Sequence, residues 1–437
     1  ERFLNPERTS LPDVDLDVCQ ASRDILIQHI RDSYNKGSAK LEEQHVCQIA
    51  TFQVMKTKQV IRDTGRVLGI PLSLVDKVSK LISGTGEAEL EDALKVDPAI
   101  GRVFDETSLT KLWLKASKSL KDLVRNNSIH AAGVVISDKP LVEYTPLFYS
   151  SNGDLVSQFQ MTDIENAKLV KWDILGLKTL TVLHEASKLI NKDRSDFVLN
   201  EVSFDDKKTY EMLASGDVQG VFQMESSTGM ANVIKRINPQ RLTDIIGAGA
   251  LFRPGPLRAG LADKYIENKR MWEAGDSAKV KSAIPFDLGD ILDDAYGTMI
   301  FQEHIMRISQ RLCGFSPVEA DVLRKAVAKK KGDTLMKMKG QFIQGAIDNG
   351  ASKKDVEELW EQIEKFAEYA FNKSHATAYA YLSYWTAYLK ANYPVEFFTA
   401  LINKEKDFEK KNVYYENAFH FSIDILPPDV SRSFNDF

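Results

Sequence analysis

Residues 11–18, LPDVDLDV, alternate acidic and apolar side chains. Period two is the spacing of an extended strand, in which successive side chains point to opposite faces. Asp13, Asp15 and Asp17 therefore share one face, with neighbours roughly 6–7 Å apart along the pleat. Two more strand-like runs lie far along the chain, AAGVVIS at 131–137 and KLVKWDILGL at 168–177. SRDILIQHIRDSYN at 22–35 has the pattern of an amphipathic helix, with Ser22 as its candidate cap. Residues 36–45 read as a loop. From 46 to about 122 the pattern is helical and lysine-bearing, interrupted near Pro71 and at SGTGEAE, 83–89. A sheet assembled from such distant segments is an α+β arrangement. Beyond about 180 the pattern is helical to the end, broken at 251–260 and 294–304. The simplest parse is a small α+β unit split by a helical insertion, then a large helical region.

A chain of 437 residues is too long for one core and predicts two to four domains. The net charge of −5 excludes a uniformly basic nucleic-acid binder, so any such surface must be local. Cys19, Cys47 and Cys313 are far apart and form no CxxC, which predicts small buried thiols in a reducing cytoplasm. No apolar run is long enough to span a bilayer, and the opening ERFLNPERTS does not resemble a signal peptide. A chain that starts at Glu1 rather than Met reads as part of something longer.

Three aspartates on one strand face raise each other's pKa unless a cation lies between them. Oxygen-only ligands select Mg²⁺, Mn²⁺ or Ca²⁺, and carboxylates that hold two such ions are a device for in-line attack at phosphorus. An EF-hand loop is excluded, because the glycine needed at its sixth position is Val18. A phosphoaspartate motif would follow a hydrophobic strand, whereas NPERTSLP stands before this one. The competing reading is a strand edge whose charges deter aggregation.

Asp173 interrupts the apolar run LVKWDILGL and should be partly buried with a partner. That partner is either Lys171 on the same face, an arginine elsewhere, or a metal shared with Asp13 and Asp15. LRKAVAKKKGD at 323–333 carries Arg324, Lys325, Lys329, Lys330 and Lys331. On a helix, Arg324, Lys325 and Lys329 fall near one side, as either a phosphate contact or a solvated face. FNKSHATAYAYLSYWTAYLKANYP, 371–394, sets Asn372, Lys373 and His375 before an aromatic helix. Its rings can stack bases or form core, and His375 can be structural or functional.

Several segments, in order, carry a resemblance. They include ERFLNPER, PDVDLDV, VIRDTGRVLG at 60–69, HAAGVVIS at 130–137 and LVKWDILGLKTLTV at 169–182. GVFQMESS at 220–227, ALFRPGP at 250–256, YGTMIFQEHIMRIS at 296–309 and FNKSHATAYA at 371–380 follow. The chain resembles the catalytic α subunit of bacterial DNA polymerase III, the C-family replicative polymerases. The resemblance implies a nucleotidyltransferase-like palm of mixed sheet and helices, residues 1–45 and 123–175. It implies a helical thumb, 46–122, that splits the palm, and a mainly α-helical fingers domain, 176–437. Asp13, Asp15 and Asp173 would be the catalytic, metal-binding aspartates for two Mg²⁺ ions, with Mn²⁺ as a substitute; Asp17 would support them. Arg2, Lys171, Arg324 and Lys325 would bind the incoming dNTP. Lys329, Lys330, Lys331, Asn372, Lys373 and His375 would touch primer–template DNA. The family's further partners are a sliding clamp, a clamp loader and a proofreading exonuclease.

The sequence departs from the family pattern in places. Lys325 stands where a second arginine is usual, and it keeps the charge but loses the bidentate fork. Ala370 and Gln53 replace glycines, MESSTGM at 224–230 is one residue longer, and 36–44 reads as an insertion. A translesion relative of the same family would accommodate such changes. The family's Gly-Ser-rich phosphate loop precedes ERFLNPER, and its clamp-binding regions follow the fingers. This sequence contains neither, which predicts weak or no activity alone. The alternatives to a working core are half of a split polymerase and a non-catalytic DNA-binding remnant.

Overall fold

A computed structural model describes residues 14–431, apart from 85–89, 283, 285, 287, 330–331, 368 and 428. The chain forms two compact units. One holds residues 14–18 and 22–176; the other holds 19–21 and the chain from 177 onward.

The first unit is built on a six-stranded mixed sheet. Its strands are β1 (Val14–Cys19), β2 (Val46–Val54), β3 (Val124–Ile136), β4 (Leu147–Tyr149), β5 (Leu155–Ser157) and β6 (Lys171–Leu177), in the order β1-β6-β3-β2-β5-β4. β3 runs antiparallel to both β2 and β6, while β2 and β5 are parallel. The strand-like runs at 11–18, 131–137 and 168–177 thus become three adjacent strands, described from Val14 onward.

The helical pattern expected from residue 46 fails for its first nine residues, which are β2. β2 lies between β3 and β5, and Val46, Cys47, Ile49 and Ala50 are all buried. A strand covered on both faces loses the alternation that identifies a strand in sequence. The short strands β4 and β5 carried no readable pattern for the same kind of reason: three residues each are too few.

Helix Arg23–Asn35 forms where its periodicity placed it. Ser22 occupies the cap position, but its side chain makes no capping bond and its backbone is already near-helical. The insertion, Thr57–Leu120, is a helical cluster with its own core around Ile61, Val78, Phe104 and Trp113. Gly65 lets two helices close there, since a Cβ would stand 3.2 Å from the Trp113 ring.

The second unit is almost wholly helical among its described residues. Its organising element is the helix Lys373–Asn392, whose Leu382, Tyr384, Leu389 and Lys390 are buried. Most of its aromatic rings pack inward or against one another, as Tyr384 does on Phe204 and Tyr210. Cys47 and Cys313 are buried free thiols, each pushed up to about 12 chiefly by burial, and Cys19 is half-buried.

Candidate active site

Asp15 lies on β1 with an exposed side chain, Asp17 is half-buried, and Asp13 falls outside the described residues. β1 lies beside β6, so the strand of Asp15 neighbours the strand of Asp173. Asp173 is buried, 8% exposed. Its Oδ2 accepts a hydrogen bond from Lys171 Nζ at 2.7 Å. Lys171 is itself 8% exposed, two residues away on the same strand face. Of the partners the sequence left open, the lysine is therefore present.

The other oxygen is a separate matter. Among the described residues, Asp173 Oδ1 is buried and has no hydrogen-bond partner. His130 Nδ1 stands 3.8 Å from it. That nitrogen is already the acceptor for the backbone N–H of Gly133 at 2.7 Å and of Ala132 at 3.3 Å. It therefore bears a lone pair, not a proton, and has no hydrogen to give Asp173. A buried carboxylate oxygen without a donor is costly and suits a cation. Carboxylate oxygen is the donor type that Mg²⁺ or Mn²⁺ takes, although among the described residues no group of three such side chains could hold an ion.

The local backbone makes this arrangement. Ile49 of β2 is opposed by residues 130–133 of β3, so β3 bulges out there. The far end of the bulge, Gly133, pairs directly with Asp173 on β6. Arg23 clamps the bulge: its guanidinium donates to Ala131 O and, at 2.8 Å, to Ile174 O. At Gly133 a Cβ would stand 2.8 Å from His130 Nδ1 and 2.9 Å from Ile49 Cδ1. Gly133→Ala is therefore expected to displace the His130 ring and destabilise the chain by about 1–3 kcal/mol, read as a lower urea midpoint.

The second unit carries the other expected cations. Arg324 is 9% exposed and does not lie on a solvated face. Its Nε and Nη2 donate to Asp321 Oδ1 at 2.9 and 2.7 Å, and Nη1 donates to Gln302 at 3.1 Å. Lys325 reaches Asp321 Oδ2 at 2.7 Å. Burial pulls the Asp321 carboxyl upward, but the bonds from Lys325 and Arg324 outweigh it and hold it below the usual range. Lys329 ends this helix, and Lys330 and Lys331 lie outside the described residues, as does Arg2.

Asn372 is the N-cap of the helix Lys373–Asn392, accepting from His375 N at 2.8 Å. The Lys373 ammonium pairs with Asp294, which also accepts from His304 at 3.0 Å. Burial raises the Asp294 carboxyl, but His304 and Lys373 bring it down to about 2. His375 is exposed and stacks on Tyr379, ring centroids 4.2 Å apart. Both line a cavity of about 340 Å³ with Arg253, Phe371, Gln223 and Ser226.

Sequence reasoning passed over Arg23, His130, Asp321 and Asp294. Asp321 was within reach, three and four residues before the two cations on one helix. Arg23 reaches carbonyls more than a hundred residues away, and His130 meets Asp173 only through the pairing of β3 with β6, so no local pattern marks their roles.

The family described as the bacterial DNA polymerase III alpha NTPase domain matches residues 1–176, and the alpha subunit finger domain matches 179–350. The chain is 41% identical to DNA polymerase III subunit alpha of Aquifex aeolicus over 99% of its length, covering 38% of that protein. It is 38% identical to the Escherichia coli K12 protein of the same name and 39% to that of Thermus aquaticus, each over the whole chain. It spans 38% and 35% of those relatives. A likeness that runs from end to end, through two adjoining family domains, places the chain in the bacterial DNA polymerase III alpha-subunit family.

Proposed function

We propose that the chain is the catalytic core of a DNA-directed DNA polymerase. The observation that supports this most is the buried, partnerless Oδ1 of Asp173 on the strand beside that of Asp15. In this reading the palm is 1–45 and 123–175, the thumb 46–122 and the fingers 176–437, with β2 a strand of the palm sheet inside the thumb bounds. The primer 3′-oxygen bonds to the α-phosphorus of a dNTP, the bond to the β-phosphate oxygen breaks, pyrophosphate leaves and the hydroxyl proton passes to solvent.

Asp13, Asp15 and Asp173 would hold two Mg²⁺ ions, which when bound acidify the primer hydroxyl and neutralise the triphosphate. Lys171 fixes the Asp173 carboxylate through Oδ2, so that Oδ1 stays presented. Lys171 and Arg2 add positive charge for the β and γ phosphates, where negative charge accumulates. Asp321 orients Arg324 and Lys325 as a preset pair for phosphate. Lys329, Lys330, Lys331, Asn372, Lys373 and His375 line the DNA-binding surface, with contacts mainly to phosphate. The clamp, clamp loader and exonuclease are partners to seek in the longer protein. The compartment is the cytoplasm; among the described residues no helix is long and apolar enough to cross a membrane.

Single-nucleotide primer extension with Mg²⁺ tests the reading, on the chain alone and with a family upstream segment supplied. Asp15 is exposed, so Asp15→Ala should leave the fold intact and abolish extension. Extension that survives Asp15→Ala sinks the assignment. Steep salt-dependent DNA binding without extension in any combination supports the DNA-binding remnant instead.

A further inference from the structure

We propose that His130 is a substrate contact: its Nε2–H donates a hydrogen bond to a non-bridging phosphate oxygen of the primer's 3′-terminal phosphodiester. The proposal rests on the polymerase reading and assigns a new residue to that site.

Three observations carry it. First, the tautomer is fixed. Two backbone N–H groups, of Ala132 and Gly133, converge on Nδ1, so the ring proton resides on Nε2. Among the described residues nothing accepts that proton, and the side chain is 30% exposed. Second, the ring is held where the chemistry is placed. It stands on a bulge whose last residue pairs with Asp173, and Nδ1 lies 3.8 Å from the carboxylate oxygen that has no hydrogen-bond partner among the described residues. Bulges beside sites of this kind re-aim one side chain, and this one costs β3 its pairing with β2 over residues 130–133. Third, the bulge is braced from behind by Arg23, which ties it to Ile174, the residue after Asp173. A ring gripped at one nitrogen and clamped through its backbone is pre-organised.

The chemistry of the donor selects the ligand. A cation held at Asp173 would favour an anionic oxygen nearby. A single N–H donor at Nε2 matches one non-bridging oxygen of a singly charged phosphodiester, whereas the triphosphate calls for the several donors that lysine and arginine supply.

His130→Asn separates this role from a structural one. An Asn side-chain oxygen can accept from the N–H groups two and three residues on and so keep the bulge, but it cannot replace the distal donor. The experiment is a double-mutant cycle on primer–template binding, read by fluorescence anisotropy with the full chain. It pairs His130→Asn with a primer whose terminal linkage is a neutral methylphosphonate. The expected result is roughly tenfold weaker binding for either change alone and no further loss when they are combined, with an unchanged melting temperature. Where extension is measurable, the KM for dNTP stays as in the wild type. The inference is overturned if His130→Asn binds like the wild type, if the two losses multiply, or if the loss falls on the dNTP KM instead. Wild-type chain that binds no primer–template overturns the polymerase reading itself, and this inference with it.

Discussion

Asp173→Asn is expected to lower nucleotide incorporation about a thousandfold, by analogy with the loss of one pre-organised electrostatic group at a reacting centre. The substitution keeps the shape of the side chain and removes its charge. Two consequences then diverge. In the proposed mechanism Oδ1 would no longer hold a cation, and activity would be lost. Lys171, buried at 8% exposure, loses its counter-charge, which removes stability. Removing one member of a buried ion pair costs about 3–5 kcal/mol. The double variant Asp173→Asn with Lys171→Met should regain most of the stability and none of the activity. Urea unfolding and single-nucleotide extension on the same samples read the two quantities separately. Incorporation at the wild-type rate by Asp173→Asn would remove Asp173 from the site.

Lys390→Met should produce the largest change in stability of the second unit, with an expected loss of about 3–5 kcal/mol. Lys390 is fully buried at 0% exposure, in the last turn of the longest described helix of the unit. Its ammonium donates to Asp217 Oδ1 at 2.6 Å, Gln219 O at 2.8 Å and Asp217 O at 3.1 Å. Burial pulls its pKa down, and Asp217 opposes that pull, so the charged form persists because the loop supplies oxygen on every side. The same loop is tied again by Glu225, which accepts from Gly220 N and from the Tyr414 hydroxyl at 2.8 and 2.9 Å. Asn417 donates to Asp217 as well, at 3.0 Å. Methionine fills a similar volume but takes the ammonium from two carbonyls and from a carboxylate that keeps only its bond from Asn417. Against a total stability of roughly 5–15 kcal/mol, that is a large share. The check is chemical denaturation, with far-UV circular dichroism to show that the variant folds at low denaturant. A midpoint equal to that of the wild type would mean the cluster is replaceable by water.

Much of the first unit's plan was legible because its strands announce themselves by period. LPDVDLDV alternates, so its aspartates share a face, and the Asp in LVKWDILGL stands out because everything around it is apolar. The helix at 22–35 and the aromatic helix at 373–392 were likewise visible from spacing. The sequence by itself thus determined which carboxylates are candidates and that a helical insertion divides them. It could not place β2, because a strand buried on both faces has no alternation to read. Nor could it distinguish Arg324 from Lys325. Both are cations on one helix, yet one is buried against Asp321 and Gln302 and the other remains exposed, and only packing chooses between neighbours.

The sharpest difference lies at Asp173. Sequence offered Lys171, an arginine elsewhere or a metal ion as its partner, and the fold supplies the lysine for one oxygen while leaving the other without a hydrogen bond among the described residues. That outcome depends on a bulge in β3, on the two N–H groups that occupy His130 Nδ1, and on Arg23 reaching across from a helix. The His130 turn is local, but the bulge that carries it and the Arg23 contacts are long-range and set by strand register. Register is a property of paired strands, not of either strand alone, and so it enters only with the tertiary structure.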